Sequence, residues 1–338
     1  MIRSRKTRSG FTLVELMISA AITVMIMTIL SICFQVSMKA MSAMRAQGDA
    51  ADQLRAVGEV IKRDVNASHF SPVDPGTGPR NVGRRLSDYQ NVTPRSGFFF
   101  LSSPDSASEG NDGVFTSTRN VSCALWMTSV LAGGSEGSLF TATIGGNAVS
   151  SEAAEVAYFL SAMPGEFTAP GLNGTQNQRF NLHRRQRLVA SDLNKQIQFN
   201  SLLSDPNPVI RAQAQTYISA NLLNAAQSHL MTSFNAATRP TFPTPIGTGD
   251  DIILSNVISF EIKPTWLWTG AGPVRSPRAF ATNTDSPYDN LQTPVGTTTF
   301  DTLGGGTTQM RINAVQLRIR IYDPKAKTAR QSTFVFDL

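Results

Sequence analysis

The stretch that decides the fold is FTLVELMISAAITVMIMTILSICFQVSM, residues 11–38 of a 338-residue chain. It contains one charged residue, Glu15. As an α-helix, these 28 residues would span roughly 42 Å, more than the roughly 30 Å hydrocarbon core of a bilayer. The sequence therefore predicts a transmembrane helix over residues 11–38.

The ten residues that precede this stretch form a basic leader without any acidic residue. Its positive charges are Arg3, Arg5, Lys6 and Arg8. Positive charge before an apolar segment predicts a cytoplasmic N-terminus and a chain that continues outside the inner membrane. Because these charges supply much of the net charge of +6, the basic balance does not indicate a nucleic-acid partner.

Composition points to the class of the remaining chain. Charged residues make up only 16% of the sequence, and glycine and proline are frequent. This balance favours a β-rich exported domain over a highly charged cytosolic one.

Three interpretations of the apolar stretch compete. A secretory signal peptide needs a small-x-small cleavage site after the apolar run, and Ala40-Met41-Ser42, which follows Lys39, is a poor match. An ordinary signal anchor explains the length and the basic flank but leaves Glu15 unexplained. A third interpretation accounts for the length of the stretch, for its basic flank and for Glu15.

Residues 9–16, with the sequence SGFTLVEL, carry that third interpretation. They resemble the type III signal of type IV prepilins and type II secretion pseudopilins. The resemblance implies that a prepilin peptidase/methyltransferase cuts after Gly10 and methylates the new N-terminus, Phe11. It further implies a structural subunit rather than an enzyme, with no cofactor. The partners it implies are other pilin or pseudopilin subunits and an inner-membrane assembly platform.

Glu15 has two possible roles that can coexist at different stages. A carboxylate within a membrane is costly and needs a partner. Cleavage would create one, because the α-amino group of Phe11 is cationic at neutral pH. The terminus of one chain could then meet Glu15 of the next and set the register of assembly. Alternatively, Thr12 and Glu15 have the spacing of a capping box within one chain.

The helical pattern continues beyond the membrane segment. Apolar residues recur at a spacing near 3.6, namely at Val36, Ala40, Met44, Ala51, Leu54, Val57, Ile61 and Val65. We predict one stem helix over residues 11–67, amphipathic in its second half and weakened by about 1 kcal/mol at each of Gly48 and Gly58. No proline precedes Pro72. Many major pilins have a proline in the membrane half, so its absence favours a minor pilin or pseudopilin.

Residues 68–338 are predicted to form a periplasmic or extracellular head. Short apolar or alternating runs predict strands near residues 98–101, 121–127, 139–144, 156–160, 181–189, 252–262, 315–322 and 334–338. The runs 156–160 and 181–189 are predicted to pair as a hairpin. An inserted helix is expected at about 207–235, with Pro208 at its first position. The fold class is therefore α+β, a long stem helix packed on an antiparallel sheet with an inserted helix.

The order of these elements carries a second resemblance. The stem ends in IKRDV at residues 61–65, and strands with the sequences VAYFL, LHRR, ISFEI and VQLRI follow. This order is similar to the large minor pseudopilins of the J type and to minor pilins of the W type. It implies a role near the fibre tip or in starting assembly.

No catalytic pattern is found. The sequence has no nucleophile elbow, phosphate loop or zinc-protease motif. The histidines, expected to serve packing or the surface, are His69, His183 and His229. Cys33 and Cys123 are expected to be unpaired. Several side chains could offer oxygen ligands to Ca²⁺ but match no calcium motif, so no metal is expected: Asp250, Asp251, Asp285, Asp289, Asn290 and Asp301.

Two further features allow a binding role as well as a plain structural one. A basic linker contains Arg80, Arg84, Arg85 and Arg95. It could bind an acidic partner or be a solvated loop. Trp266 and Trp268 could form a contact surface or belong to the core. The alternative function is accordingly a membrane-anchored binding or sensing ectodomain that does not assemble into a fibre.

Overall fold

A computed structural model describes residues 12–69, 73–74, 78–79, 99–102, 123–131, 139–163, 179–190, 193–218, 250–269, 288–289, 309–324 and 328–338. The helices in these residues are α1 (Leu13–Val65), α2 (Leu193–Leu203) and α3 (Pro208–Tyr217). The strands are β1 (Val73–Asp74), β2 (Gly78–Pro79), β3 (Phe99–Ser102), β4 (Ala124–Val130), β5 (Phe140–Ile144), β6 (Asn147–Ser151), β7 (Ala153–Ala162), β8 (Phe180–Val189), β9 (Asp250–Thr269), β10 (Tyr288–Asp289), β11 (Gln309–Asp323) and β12 (Thr328–Asp337).

Helix α1 is the predicted stem helix, and it runs for 53 residues without a break. Thr12 caps its start, and the N–H of Asn66 closes its end by bonding to the carbonyl of Lys62. Lys62 and Arg63 in the last turn place positive charge near the negative end of the helix dipole. The prediction of a single long stem helix is confirmed.

The head is built around an eight-stranded antiparallel sheet with the order β10-β3-β4-β7-β8-β9-β11-β12. The predicted hairpin of β7 and β8 is present, with Tyr158 opposite Arg184. Strands β5 and β6 form a separate hairpin, as do β1 and β2. The predicted α+β class is confirmed.

The second half of α1 packs on one face of this sheet. Its buried residues follow the 3–4 spacing of a helix face and are Ala50, Leu54, Val57, Ile61 and Val65. They share a core with the inward side chains of β11, among them Leu317 and Ile319. The amphipathic pattern of the sequence therefore corresponds to a real helix–sheet contact.

Gly58 lies where α1 packs against Phe334 of the sheet. A Cβ atom at this position would be 2.8 Å from Cζ of Phe334 on β12. A methyl group would force that ring to move, so glycine permits the close packing here.

A second, smaller core lies beside β8. It joins β5 and β6 to α2 and α3 through buried residues that include Ile144, Leu188, Phe199 and Ala214. The backbone N–H of Gly145 also donates to the side chain of Gln213, at 2.8 Å. The insertion is thus attached to the sheet through its own apolar cluster.

Helix α3, the inserted helix, is shorter than the range of about 207–235 that the sequence predicts. It begins as expected, with the side chain of Asn207 accepting a hydrogen bond from the N–H of Val209 and with Pro208 in the first turn. It ends at Tyr217, because Ile218 is extended, buried and bridged to Leu188 of β8. The rest of the predicted range lies outside the described residues.

Candidate processing and assembly site

The N-terminal end of α1 holds the described part of the predicted processing site. Gly10 and Phe11 lie outside the described residues, and Thr12 is the first residue described. The backbone N–H and the hydroxyl of Thr12 each donate to Oε2 of Glu15, both at 3.0 Å. The N–H of Glu15 donates in return to Oγ1 of Thr12 at 3.4 Å. The capping box predicted from the sequence is present.

This cap fixes where the Glu15 carboxylate lies. Both Thr12 hydrogen bonds use the same oxygen, Oε2, and the side chain is exposed. The carboxylate also lies at the positive end of the helix dipole. The two bonds from Thr12 therefore leave Oε1 outside the cap.

An exposed apolar segment follows the cap directly. The most apolar 18-residue window of Leu13–Ser42 has a mean hydropathy of 2.4, and none of that window is buried by the rest of the chain. Among the residues that the structure describes, it is the one helix long and apolar enough to cross a membrane by length and composition. The segment therefore needs an apolar environment that the head does not supply.

Three hydroxyl groups within the segment are satisfied by the helix itself. Thr23 donates to the carbonyl of Ser19, and Thr28 donates to that of Val24, each at 2.8 Å. Ser19 donates to the carbonyl of Leu16 at 3.0 Å. These polar groups can enter a bilayer without losing their hydrogen bonds.

Comparison with protein families identifies the N-terminal segment. Residues 5–31 match the family model of the prokaryotic N-terminal methylation motif. The chain carries the type IV prepilin signature. The match covers the Gly10–Phe11 junction, Glu15 and the first half of the apolar helix. No curated protein and no solved structure matches the chain.

The prepilin signature has direct implications. It implies processing by a prepilin peptidase and assembly with other pilins, and it is typical of structural subunits rather than enzymes. Together with the apolar helix, it fits a membrane-anchored, single-pass pilin.

Polar residues also join the far end of α1 to the sheet, at a place we call the stem–head junction (Asp64, His69, Tyr158 and Arg184). Oδ2 of Asp64 accepts hydrogen bonds from the hydroxyl of Tyr158 at 2.5 Å and from Nε of Arg184 at 2.7 Å. The side chains of Asp64 and Arg184 are only 7% and 11% exposed. Asp64 therefore ties the last turn of α1 to β8 through the ion pair and to β7 through the hydrogen bond from Tyr158.

Burial and charge shape the acid–base behaviour of this junction. Burial, reinforced by the Asp64 charge, raises the pKa of Tyr158 well above its usual range. Burial alone would lower the pKa of Arg184. The hydrogen bond to Asp64 and the charge of Asp64 have the larger combined effect, so the pKa of Arg184 is raised. Tyr158 thus stays neutral and Arg184 stays charged.

His69 completes the junction. Its ring is fully buried, with Nδ1 2.7 Å from the carbonyl oxygen of Thr128 on β4 and Nε2 2.8 Å from that of Val65 at the end of α1. Burial lowers the pKa of His69, although both carbonyls and the charge of Asp64 oppose this. The predicted packing role of this histidine is confirmed.

No local pattern in the sequence indicates that these four residues form one junction. Arg184 and Asp64 are 120 residues apart, and Tyr158 and Asp64 are 94 apart. The one indication was Asp64 itself. A charge that lies on the buried face of an amphipathic helix needs a partner.

Of the possible calcium ligands, Asp250 forms an ion pair instead. Oδ1 and Oδ2 of Asp250 accept from Nε and Nη2 of Arg185, at 2.6 and 2.7 Å, while Asp251 is exposed. The described residues contain no group of three His, Cys, Asp or Glu side chains that could hold a metal ion. Asp285, Asn290 and Asp301 lie outside them, and Asp289 is described as part of β10.

His183 packs near this ion pair. Its ring stacks on Phe159 with centroids 5.3 Å apart, and its Nε2 is 2.6 Å from the hydroxyl oxygen of Ser161. Burial lowers the pKa of His183, so the ring is predominantly neutral at pH 7. The predicted packing role is confirmed, while His229 lies outside the described residues.

The cysteines are free, as predicted. Cys33 is exposed on the apolar helix, and Cys123 is buried in the head, where burial raises the pKa of its thiol to about 12. The basic linker and the side chains of Trp266 and Trp268 lie outside what the structure describes.

Proposed function

We propose that the chain is a minor pilin or pseudopilin of a type IV pilus or of a type II secretion-like system. The observation that carries this proposal is the methylation motif at residues 5–31, which leads without interruption into an exposed apolar helix. The weaker similarity to J-type pseudopilins and W-type minor pilins favours a position near the tip over one in the bulk of a fibre.

In the proposed mechanism, the chain first lies in the inner membrane with residues 1–10 in the cytoplasm. The prepilin peptidase cuts after Gly10, and Phe11 is N-methylated. The head, residues 68–338, faces the periplasm. The subunit then leaves the bilayer at the assembly platform, and its apolar helix packs against the helices of other subunits instead of lipid.

Glu15 guides that transfer. In the monomer, Thr12 engages Oε2 of the carboxylate. The methylated amine of a neighbouring Phe11, which is still a cation, can approach Oε1 without breaking this cap. Neutralising the two charges stabilises one register of neighbouring helices in an apolar bundle.

One observation favours the alternative of an anchored binding or sensing ectodomain. Because Thr12 gives Glu15 two hydrogen bonds within its own chain, the cap alone would account for this residue. The two functions differ in whether the leader is removed and in whether Glu15 is needed for assembly.

Mass spectrometry of the mature chain tests processing. We expect a chain that starts at N-methyl-Phe11. An intact leader in cells with an active prepilin peptidase would contradict the proposal and support the anchored ectodomain.

Crosslinking in membranes tests assembly. A photo-crosslinker at the exposed Ile26 is expected to capture other prepilin-class subunits, whose identities would name the machine. Glu15→Gln should reduce this capture at least tenfold. Glu59→Gln, which neutralises another exposed carboxylate on α1, should leave it unchanged. Equal capture by Glu15→Gln and the wild type would exclude the assembly role.

A further inference from the structure

Between its two apolar parts, α1 has a short segment that we call the neck, residues 43–49. The membrane-compatible segment ends at Ser42, and the first buried residue of the sheet-packed half is Ala50. Met44, Arg45 and Asp49 of the neck are exposed. These neck residues therefore lie outside both environments that hold the rest of the helix.

Met44, Arg45, Gly48 and Asp49 are exposed, so these residues of the neck are held in the helix by its backbone hydrogen bonds. Helices in proteins gain most of their stability from packing an apolar face, and short unpacked helices in water are marginal. On one side of the neck the helix is held by the membrane, and on the other by the sheet. Opening of α1 should therefore begin in this segment.

Gly48 weakens this same segment without a local reason. A Cβ atom at Gly48 would meet nothing within 4 Å, and its backbone is not in the left-handed region. Gly58 differs, because the Phe334 ring occupies the space that its Cβ would need. Glycine is the least favourable residue inside a helix after proline.

We propose that Gly48 makes the neck a hinge between the membrane segment and the head. Residues 50–65 move with the head as one body, because their apolar face and the Asp64–Arg184 pair fix them to the sheet. Transient opening of the neck changes the angle at which the head stands above the membrane. This hinge does not depend on fibre assembly and would serve an anchored ectodomain equally.

Hydrogen exchange of the full chain in lipid nanodiscs provides the first test. Amides of residues 43–49 are expected to exchange at least tenfold faster than those of residues 54–62. Gly48→Ala should slow the neck amides about fivefold, the factor that one residue's helix preference supplies. Ala56→Gly, at an exposed position where the sheet holds the helix, should leave the neck unchanged.

A distance measurement provides the second test. Cys33 is exposed and Cys123 is buried, so spin labels can be placed at Cys33 and at an exposed Thr333→Cys on β12. The wild-type neck should give a broad distance distribution, and Gly48→Ala should narrow it. Neck amides as slow as those of residues 54–62, or equal widths in both proteins, would overturn the hinge whatever the outcome for assembly.

Discussion

The two halves of α1 form one continuous helix but place their apolar side chains in different environments. In Leu13–Ser42, large apolar side chains point in all directions and remain exposed. In residues 50–65, apolar side chains occupy one face, and the sheet buries them. The second half is thus completed by its own chain, while the first half needs lipid or other helices. Substitutions in the second half should destabilise the head, and matched substitutions in the first half should not.

The largest effect is expected at the stem–head junction. Asp64→Ala leaves the buried Arg184 without its carboxylate, which should lower the free energy of unfolding by about 3–5 kcal/mol. Urea unfolding of the full chain in mild detergent, followed by the fluorescence of the buried Trp126, measures this change.

Asp52→Ala is the control, because its ion pair with Arg55 is 3.8 Å long and both side chains are more than three-quarters exposed. Such pairs contribute little. Equal losses for the two variants would mean that the Asp64 pair does not secure the stem.

A matched pair of isoleucines tests the comparison most directly. Ile61 is fully buried against the sheet, so Ile61→Ala should cost about 2–5 kcal/mol in the same unfolding experiment. Ile26 is half exposed on the membrane segment, and Ile26→Ala should leave the unfolding of the head unchanged. A comparable loss at Ile26 would show that the two halves are not independent.

The two glycines give a smaller contrast. Gly58→Val forces the Phe334 ring out of its place and should cost about 1–3 kcal/mol. Gly48→Val enters open space and should change the urea midpoint little. If Gly58→Val is as stable as the wild type, the helix and β12 do not need this close approach.

The smallest effect concerns pH. The unfolded chain binds a proton at His69 near pH 6.5, while burial lowers the pKa of His69 in the folded chain. Protons therefore favour the unfolded chain, and this contribution to stability is complete above pH 6.5 and declines as the pH falls below it. The urea midpoint should drop between pH 7.5 and pH 5.5 by more in the wild type than in His69→Gln. Parallel pH profiles would contradict this role.

Much of the fold could be predicted because its signals are local. The spacing of apolar residues predicted the stem helix, and the alternation of apolar and polar residues predicted strand β11. At the N-terminus, Thr12 and Glu15 are three residues apart, so their cap was visible in the sequence. The Gly10–Phe11 cleavage site is equally local and stays a prediction.

Features that depend on distant contacts could not be predicted. The end of α3 is set by the bridge of Ile218 to Leu188, 30 residues away in sequence. Helix α2 is short and mostly polar, and Phe199 gains its role only from the core it joins. The Asp64–Arg184 pair could not be predicted either, because its two residues are 120 apart in sequence.

The strands that cover α1 are synthesised long after α1 itself. Residues 50–65 pack against β9, β11 and β12, the last long strands of the chain. On the order of 200 residues must therefore be translated between the stem and the first of these strands. Until then, the apolar face of the stem lacks the cover that these three strands supply. A newborn subunit thus depends on a chaperone or on the membrane surface to shield that face, and chains truncated before β11 should be cleared by proteases.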